Sequence, residues 1–305
     1  MIKIGVIGGS GLYELEGLVD VRWTRVRTPF GEPSDAYCVG RAGDRTVVFL
    51  PRHGRGHRLM PSEVNFRANI YGFRQLGVQW IISISAVGSM REEIRPLDLV
   101  IPDQFFDSTR RRVSSFFGSG IAAHIGMADP VCPELADRLE KAARATGVTV
   151  HRGGTYLCIE GPHFSSKAES RIYRQWGVDL IGMTNMPEAK LAREAELCYA
   201  TLALVTDYDV WHESEAEVSV EAVVANLARN TAAAKEVLRR LIPVVELPRR
   251  CPCPSLLKNA VITNPAAFPP RTRKALGLLL DKYFSPRRPS PGRKRGGARR
   301  GSRRG

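Results

Sequence analysis

Short apolar segments alternate with longer amphipathic ones through residues 1–245 of the chain. Several apolar segments are continuous, a pattern typical of strands buried on both faces of a sheet. The segments between them place apolar residues at helical spacing. Strands that alternate with helices predict a single α/β domain, in which helices flank a mixed, mostly parallel β-sheet.

The pattern places these elements at defined positions. We predict strands at residues 3–7, 46–50, 80–85, 99–101, 155–159, 180–183 and 200–205. We predict helices at residues 61–76, 133–146, 166–176, 187–196 and 220–241. Gly77, Gly147 and Gly177 end three of these helices, and Ser166 with Glu169 has the spacing of a capping box. Residues 246–284 contain one further helix near 271–283 and form a C-terminal extension packed on the same domain.

The positive charge of the chain is concentrated at its end. The net charge is +14, but residues 285–305 hold nine Lys or Arg and no acid. Without these nine charges the net charge falls to +5, which is ordinary for an enzyme that binds anions. The last 21 residues contain little besides Pro, Gly, Ser and Arg, so we predict a disordered tail. Nucleic acid is a conceivable partner only through this tail.

The chain has no run of about 18 apolar residues and no signal-peptide pattern, so we expect no membrane span and a cytoplasmic location. Of the six cysteines, Cys38, Cys132, Cys158 and Cys198 are isolated in sequence and resemble small core residues. Cys251 and Cys253 form a Cys-Pro-Cys unit without a second such unit or nearby histidines, so we expect no metal site. A disulfide within this unit and two free thiols both stay open.

Two glycine-rich loops follow predicted strands and suit an anion. In Gly8-Gly9-Ser10-Gly11, backbone N–H groups and a hydroxyl can hold an oxyanion. The loop lacks the spacing of a dinucleotide or Walker motif, and a plain turn is the alternative. The loop of residues 51–58 contains Arg52, His53 and His57, which offer a bidentate guanidinium fork and a second donor. A solvated basic loop is the alternative.

Three more segments place polar or aromatic residues at strand ends, where ligand clefts lie in α/β sheets. Residues 83–89 are small or carry hydroxyls. Phe164, within residues 160–166, could stack on a flat base or pack in the core. Asp207 and Asp209 end the last strong strand and could bind a metal, cap a helix or read a base.

Taken together, these motifs closely resemble the methylthioadenosine phosphorylase branch of the trimeric purine nucleoside phosphorylases. The likeness runs in order from about residue 3 to 284. It rests on Gly8-Gly9-Ser10-Gly11-Leu12, Thr28-Pro29-Phe30-Gly31, Arg52-His53-Gly54, Ala86-Val87-Gly88-Ser89, Glu160-Gly161-Pro162, Met183-Thr184-Asn185-Met186-Pro187-Glu188 and Thr206-Asp207-Tyr208-Asp209. The resemblance implies a nucleoside phosphorylase fold, a homotrimer, inorganic phosphate as co-substrate, no cofactor, and a role in purine and methionine salvage.

The resemblance also implies individual roles. Met183 would lie under the ribose and Phe164 against the purine. Asp207, protonated at some stage, would donate to purine N7 as the base leaves, and Asp209 would accept from the adenine amino group. Because two neighbouring carboxylates resist ionising together, we expect a raised pKa for Asp207. The residues implied to bind phosphate are Ser10, Arg52, His53, Ser85, Ala86 and Thr184.

Three positions are implied to select the substrate. Ser165 and Asp207 stand where the 6-oxopurine enzymes have Glu and Asn, and acidic Asp207 suits the N6 donor of adenine. Val220 replaces a histidine and would form an apolar wall for a methylthio group. His124 resembles a residue that closes this pocket from a neighbouring subunit. The chain departs from the family at Ser10 and Ser85, where Thr is common, and at His163, where Arg is often found.

Two alternatives remain. An enzyme of the same fold could act on a nucleoside with a different base, as a 6-oxopurine nucleoside phosphorylase or a methylthioinosine phosphorylase. Alternatively, the basic tail could indicate a nucleic-acid-binding protein, since a run of arginines binds phosphates without sequence selectivity. Phosphorolysis rates on several nucleosides separate the first alternative from the implied activity, and deletion of the tail separates the second.

Overall fold

A computed structural model describes residues 2–9, 12, 15–212 and 220–284, and of residues 220–223 only the backbone. Eleven strands form one sheet in this part of the chain. They are β1 (Ile2–Gly8), β2 (Val19–Thr24), β3 (Tyr37–Ala42), β4 (Arg45–Pro51), β5 (Trp80–Ser89), β6 (Leu99–Ile101), β7 (Gln104–Asp107), β8 (Val150–Arg152), β9 (Thr155–Cys158), β10 (Leu180–Gly182) and β11 (Cys198–Asp207).

Seven α-helices pack around this sheet in the described ranges. They are α1 (Phe66–Gln75), α2 (Pro133–Arg144), α3 (Lys167–Gln175), α4 (Asn185–Glu194), α5 (Val220–Leu241), α6 (Pro270–Ala275) and α7 (Gly277–Phe284). Ser166 caps α3 with the predicted capping box, in which its hydroxyl accepts from Glu169 N–H. None of the described helices is long and apolar enough to cross a bilayer.

All seven predicted strands are present, and the sheet is mixed and mostly parallel, as expected. The helix predicted from residue 61 begins only at Phe66, after a short 3-10 helix at Pro61–Glu63. The single helix predicted near 271–283 is divided into α6 and α7. The strands β2, β3, β7 and β8 were not predicted. β2 is exposed along nearly its whole length, so its hydrophobic pattern carries no burial signal, and β7 and β8 span only four and three residues.

The central strand β5 has an interrupted edge. β11 pairs with β5 from Trp80 to Gly88 and occupies one edge of it. On the other edge, β1 pairs with residues 80–83 and β10 pairs with residues 88–89. Within the described ranges, residues 84–87 therefore have no strand beside them on this second edge. This interruption opens the sheet at its centre.

Side chains from alternate positions of the central strands fill a separate core on each face of the sheet. One core contains Ile7 and Ile81 and is covered by α1, α4 and the C-terminal helices. The other contains Val6 and Ile82 and is covered by α2 and α5. Leu257 belongs to the first core and Cys253 to the second. Residues after position 245 thus contribute to both cores.

The cysteines differ from the sequence expectation in one respect. All six are free thiols, and Cys38 and Cys158 are buried core residues as expected. Cys132 and Cys198 are also buried, but the fold brings them to Cys251 and Cys253. Cys132 and Cys198 are thus core residues as expected, but their proximity to Cys251 and Cys253 was not predicted. The predicted disordered tail, residues 285–305, lies outside the described residues.

Candidate active site

The sequence motifs meet where the carboxyl ends of the parallel strands β4, β1, β5 and β11 share one edge of the sheet. Arg52 follows β4, and its backbone N–H donates to Gly8 O at the end of β1, at 2.9 Å. Gly88 of β5 is in register with Asp207 of β11. Four loops that are far apart in sequence therefore border one cleft, beside the interrupted edge of β5.

Arg52 is buried at the bottom of this cleft, with 2% of its surface exposed. Its Nε and Nη2 donate to the two carboxylate oxygens of Glu188 at 2.8 and 3.1 Å. Nη2 also donates to Ser83 Oγ at 2.7 Å, and Nη1 donates to Ile84 O at 2.9 Å. Burial disfavours the charge of Arg52, but the carboxylate of Glu188 outweighs this effect and raises the pKa of Arg52.

The bidentate face of Arg52 is therefore occupied by Glu188, whereas the sequence analysis expected it to hold an anion. A guanidinium group has five N–H hydrogens. The bonds above leave one Nη1 hydrogen without an acceptor in the described part of the chain. An anion in the cleft would meet this single donor and the positive charge behind it.

Ser85 and Thr184 place two hydroxyls together beside the interrupted edge. Their oxygens lie 2.9 Å apart, and Ser85 Oγ is also 3.1 Å from the Tyr156 hydroxyl. The backbone supports Ala86 as a further donor. Alternate residues of a strand direct their backbone groups to the same edge. Val87 O accepts from Thr206 on the β11 side, and Ile84 O accepts from Arg52, so the N–H of Ala86 faces the interruption.

His53 is a partly buried, neutral imidazole. Its Nδ1 lies 2.9 Å from Leu59 O, and because a carbonyl oxygen only accepts, Nδ1 carries the hydrogen. Its ring stacks on His57 with centroids 4.4 Å apart. Burial, reinforced by the charge of Arg52, lowers the pKa of His53 to about 4. Nε2 is thus an acceptor at neutral pH, not the donor that the sequence analysis expected, and it can accept the hydrogen of a protonated phosphate.

Two carboxyls lie at the other end of the cleft. Thr206 Oγ1 donates to Asp207 Oδ2 at 2.7 Å, and Asp209 N–H donates to Asp207 Oδ1 at 2.9 Å. Burial raises the pKa of Asp207 against these two hydrogen bonds. The rise was expected, but its cause is desolvation and not the neighbouring carboxylate. Burial also raises the pKa of Asp209, whose Oδ2 accepts from Ser170 Oγ at 2.5 Å.

Ser165 and Phe164 lie on the loop before α3, next to these carboxyls. Burial raises the pKa of Asp209, and the nearby Ser165 hydroxyl partly opposes this effect. Ser165 Oγ is a buried atom without a close hydrogen-bond partner among the described residues. The Phe164 side chain is 46% exposed. A polar atom and an aromatic ring are thus available to a ligand here.

Met183 lies between the hydroxyl cluster and this loop. Gly161 has a φ of +67°, and a Cβ atom at this position would lie 2.5 Å from Met183 Sδ. Glycine is therefore needed at position 161 for both its conformation and its lack of a side chain. The close approach of this loop to Met183 narrows the middle of the cleft.

For three site residues predicted from the sequence, the described part of the structure shows no side chain in the cleft. Ser10 lies outside the described residues. Val220 begins α5, but its side chain is outside the described part of the chain. His124 is exposed, and its backbone N–H donates to Ala260 O at 2.8 Å.

Two charged residues with buried side chains, Glu188 and Arg112, belong to the site although no role was predicted for them. Glu188 is fully buried and accepts from Arg52, Ser83 and Tyr199. Arg112 donates to Met183 O at 2.8 Å and forms an ion pair with Glu160 at 3.0 Å. Arg112 lies in a run of three arginines, which resembles a solvated loop, and the motif Met183–Glu188 was the only sequence signal for Glu188.

Glu160 holds this second ion pair in its charged form. Backbone N–H groups of Arg110 and Arg111 and the Ser62 hydroxyl donate to its carboxylate. Although burial opposes ionisation, these donors and Arg112 lower the pKa of Glu160 to about 2. Arg112 therefore ties the Glu160 loop to the backbone at Met183.

This arrangement places hydroxyls and the charge of Arg52 at one end of the cleft and two carboxyls at the other. Among the described residues, the only group of His, Cys, Asp or Glu with the spacing of a metal site is the set of four cysteines described above. These cysteines include Cys198, which begins β11, whereas Asp207 ends it. A ten-residue strand spans roughly 30 Å, so this group does not belong to the cleft.

Comparison with known proteins agrees with the geometry. A model of the phosphorylase superfamily matches residues 3–243. An S-methyl-5'-thioadenosine phosphorylase of Geobacter sulfurreducens is 59% identical over 281 residues, which cover 92% of this chain and 98% of the relative. The corresponding protein of Koribacter versatilis is 57% identical over 92% of this chain and 97% of its own.

Two solved structures show the same fold. A methylthioadenosine phosphorylase from an Antarctic soil metagenomic library has a TM-score of 0.88 at 50% identity, and the match covers 92% of this chain and 99% of that one. A methylthioadenosine phosphorylase from Schistosoma mansoni in complex with adenine has a TM-score of 0.77 at 38% identity, covering 81% and 93%.

Proposed function

This chain belongs to the phosphorylase superfamily, and we propose that it uses inorganic phosphate to cleave S-methyl-5'-thioadenosine into adenine and S-methyl-5-thio-α-D-ribose 1-phosphate. A phosphate oxygen forms a bond to C1' of the ribose while the bond from C1' to the purine breaks. The activity of the relatives named above and the geometry of the cleft support the same reaction.

One observation carries the proposal. The cleft contains a proposed oxyanion site and a protonatable carboxyl, and the separation between them is about the length of a sugar. The hydroxyl of Ser85 belongs to the first, and Asp207 lies beside Gly88 in the second. Three residues of strand span about 10 Å. A ribose between the two ends would face phosphate at C1' and still leave its base within reach of Asp207.

The oxyanion end supports phosphate binding by the proposed ligands. The hydroxyls of Ser85 and Thr184, the N–H of Ala86 and the charge of Arg52 supply donors and positive potential. His53 would accept from a phosphate hydroxyl, and Ser10 would complete the site from the first loop. As the glycosidic bond stretches, the ribose gains positive charge, which the bound anion stabilises at close range. This chemistry requires neither a metal nor an organic cofactor.

The acidic end supports the departure of the purine. A carboxyl with a raised pKa retains its proton at a higher pH, so Asp207 can donate to N7 as negative charge develops on the base. We assign the adenine amino group to Asp209. Phe164 would pack on the purine and Met183 against the ribose. This agrees with the close approach of the loop at Gly161, which carries Phe164, to the Met183 side chain.

Substrate selectivity follows from the same residues. A 6-oxopurine would present an acceptor to Asp209, and an unpaired buried polar group costs about 1–3 kcal/mol. Ser165 leaves room where a glutamate would contact a 6-oxopurine. We assign the wall around the methylthio group to Val220, and its closure to His124 of a neighbouring subunit in a homotrimer. The exposure of His124 leaves it accessible to such a subunit.

We also propose that residues 1–245 form the phosphorylase domain and that residues 246–284 are an extension of it, because Cys253 and Leu257 pack into its cores. Free buried thiols suit the reducing cytoplasm, where we propose that the enzyme acts.

The test is a substrate panel with the purified full-length chain. We expect phosphate-dependent release of adenine from methylthioadenosine, a slower reaction with adenosine, and little with inosine or methylthioinosine. Omission of phosphate is the control and should stop the reaction. A higher kcat/KM for inosine or methylthioinosine than for methylthioadenosine would overturn the assignment of the base.

A further inference from the structure

Four cysteines from three distant segments converge on one point of the fold. Cys132 precedes α2, Cys198 begins β11, and Cys251 and Cys253 lie in the C-terminal extension. Their sulfur atoms all lie within 4.8 Å of one another. Cys132, Cys198 and Cys253 are at most 3% exposed, and Cys251 is partly exposed. The remaining two cysteines, Cys38 and Cys158, do not belong to this group.

The dimensions of the group fit a tetrahedral metal ion. A Zn–S bond of about 2.3 Å places the sulfurs of a four-thiolate site about 3.8 Å apart. The sulfurs of Cys198 and Cys251 are separated by 3.3 Å, and no pair in the group is farther apart than 4.8 Å. Shifts of well under 1 Å per sulfur would bring the group to the coordination distance.

Groups around the cluster favour thiolates over thiols. Cys132 stands at the N-cap of the twelve-residue α2, where the helix dipole stabilises negative charge. Nη1 of Arg249 lies 3.8 Å from Cys198 Sγ and donates to it. Four thiolates around a divalent cation carry a net charge of about −2, which the dipole and Arg249 partly offset.

A second set of contacts orients the Cys-Pro-Cys unit. Glu134 Oε2, in the first turn of α2, accepts from the backbone N–H groups of Arg250 and Cys251 at 2.8 and 3.2 Å. The N–H of Cys132 donates to Tyr199 O at 2.8 Å. Partners of this kind hold metal ligands in their binding orientation.

We propose that Cys132, Cys198, Cys251 and Cys253 form a structural zinc site that fastens the C-terminal extension to the α/β domain. All-thiolate tetrahedral coordination selects zinc over harder cations such as magnesium, and a closed four-ligand site is typical of structural zinc. The expectation from the sequence was no metal site, because the Cys-Pro-Cys unit lacks a second ligand pair. That pair is supplied by two solitary cysteines 66 positions apart.

The test begins with the wild-type full-length chain, purified anaerobically with reductant from zinc-supplemented cells. Elemental analysis should find about one zinc per chain. Replacement of zinc by cobalt should give the absorption of a tetrahedral thiolate site, with sulfur-to-cobalt charge-transfer bands. These measurements on the wild type do not depend on the folding of any variant.

The variants C132S and C251S should each reduce the zinc content to well below half an equivalent, whereas the matched control C38S should retain it. Phosphorolysis in the variants reports whether they fold, because the cluster lies at the far end of β11. Less than about 0.1 equivalent of zinc in the wild type would overturn the proposal, because a structural zinc ion remains bound to the folded chain. A cobalt spectrum without thiolate bands would also overturn it. So would disulfides among the four cysteines in protein that was kept reduced and supplied with zinc.

Discussion

Replacement of Glu188 by glutamine tests the electrostatic centre of the site. Glu188 is fully buried and neutralises Arg52, whose side chain is 3% exposed. Glutamine keeps the shape but removes the charge, and it cannot accept from Arg52 through its amide nitrogen. An uncompensated buried charge costs about 3–5 kcal/mol. We therefore expect E188Q to lower the free energy of unfolding by that amount.

Glu194 provides a matched control in the same helix, α4. It is also buried, and it accepts from Ser115 Oγ and Phe116 N–H at 2.7 Å each, with no cation partner among the described residues. Burial raises the pKa of Glu194, so its charge contributes little to stability. The variant E194Q should lose only about 1–2 kcal/mol, the usual range for a disturbed hydrogen bond.

The assay is urea-induced unfolding followed by tryptophan fluorescence, at one fixed protein concentration because the proposed subunit association would make stability depend on concentration. In E188Q, the freed hydrogens of Arg52 can turn to an anion in the cleft. Saturating phosphate should then stabilise E188Q by about 1.5–3 kcal/mol more than the wild type, the range for hydrogen bonds to charged groups. The double variant R52Q/E188Q removes both charges and should recover part of the lost stability.

Equal losses of the free energy of unfolding in E188Q and E194Q would show that Glu188 is not required to stabilise the buried charge of Arg52. An equal effect of phosphate on E188Q and on the wild type would refute the position of Arg52 beside the anion. If E188Q does not fold, the double variant still decides the first point, because removing both charges should restore folding.

Further predictions address the acid, the histidine and the tail. D207N should reduce adenine release by about 10²–10⁴-fold, the usual contribution of a general acid, whereas turnover equal to the wild type would remove Asp207 from the mechanism. Because burial lowers the pKa of His53 from 6.5 to about 4, the folded state resists protonation and stability should fall as the pH decreases from 6.5 to 4. The loss of stability should approach about 3 kcal/mol in the wild type and be absent in H53N. Equal acid unfolding curves of the wild type and H53N would contradict this prediction. Added phosphate should raise the pKa of His53 in an NMR titration. Deletion of residues 285–305 should abolish retention on RNA at low salt and leave phosphorolysis unchanged, whereas loss of phosphorolysis would give the tail a role in the enzyme.

Much of the fold could be predicted because its strongest signals are local. Continuous apolar runs marked the seven strands at the centre of the sheet, and capping residues with terminal glycines marked most helix ends. The strands that escaped prediction lack such signals, as in exposed β2. The ordered motifs also brought Arg52, Ser85, Asp207 and Asp209 forward as site residues, because polar groups at strand ends indicate a cleft.

Protonation states and partners could not be predicted in the same way. The sequence indicated that the Arg52 guanidinium would bind an anion in a bidentate manner, but the fold places Glu188 against the bidentate face of this group. His53 was expected to donate, yet burial and the bond to Leu59 make its free nitrogen an acceptor. Both properties depend on desolvation and on neighbours from other elements, which are set only when the chain is packed.

The sequence by itself thus determined the α/β class, the order of the central elements and the family to which the motifs belong, because periodicity and capping act over a few residues. Only the tertiary structure decided the interruption beside β5, the cause of the raised pKa of Asp207 and the meeting of Cys132 and Cys198 with Cys251 and Cys253. These features arise from groups far apart in the chain. Their energies depend on distance and burial, which no local pattern of residues specifies.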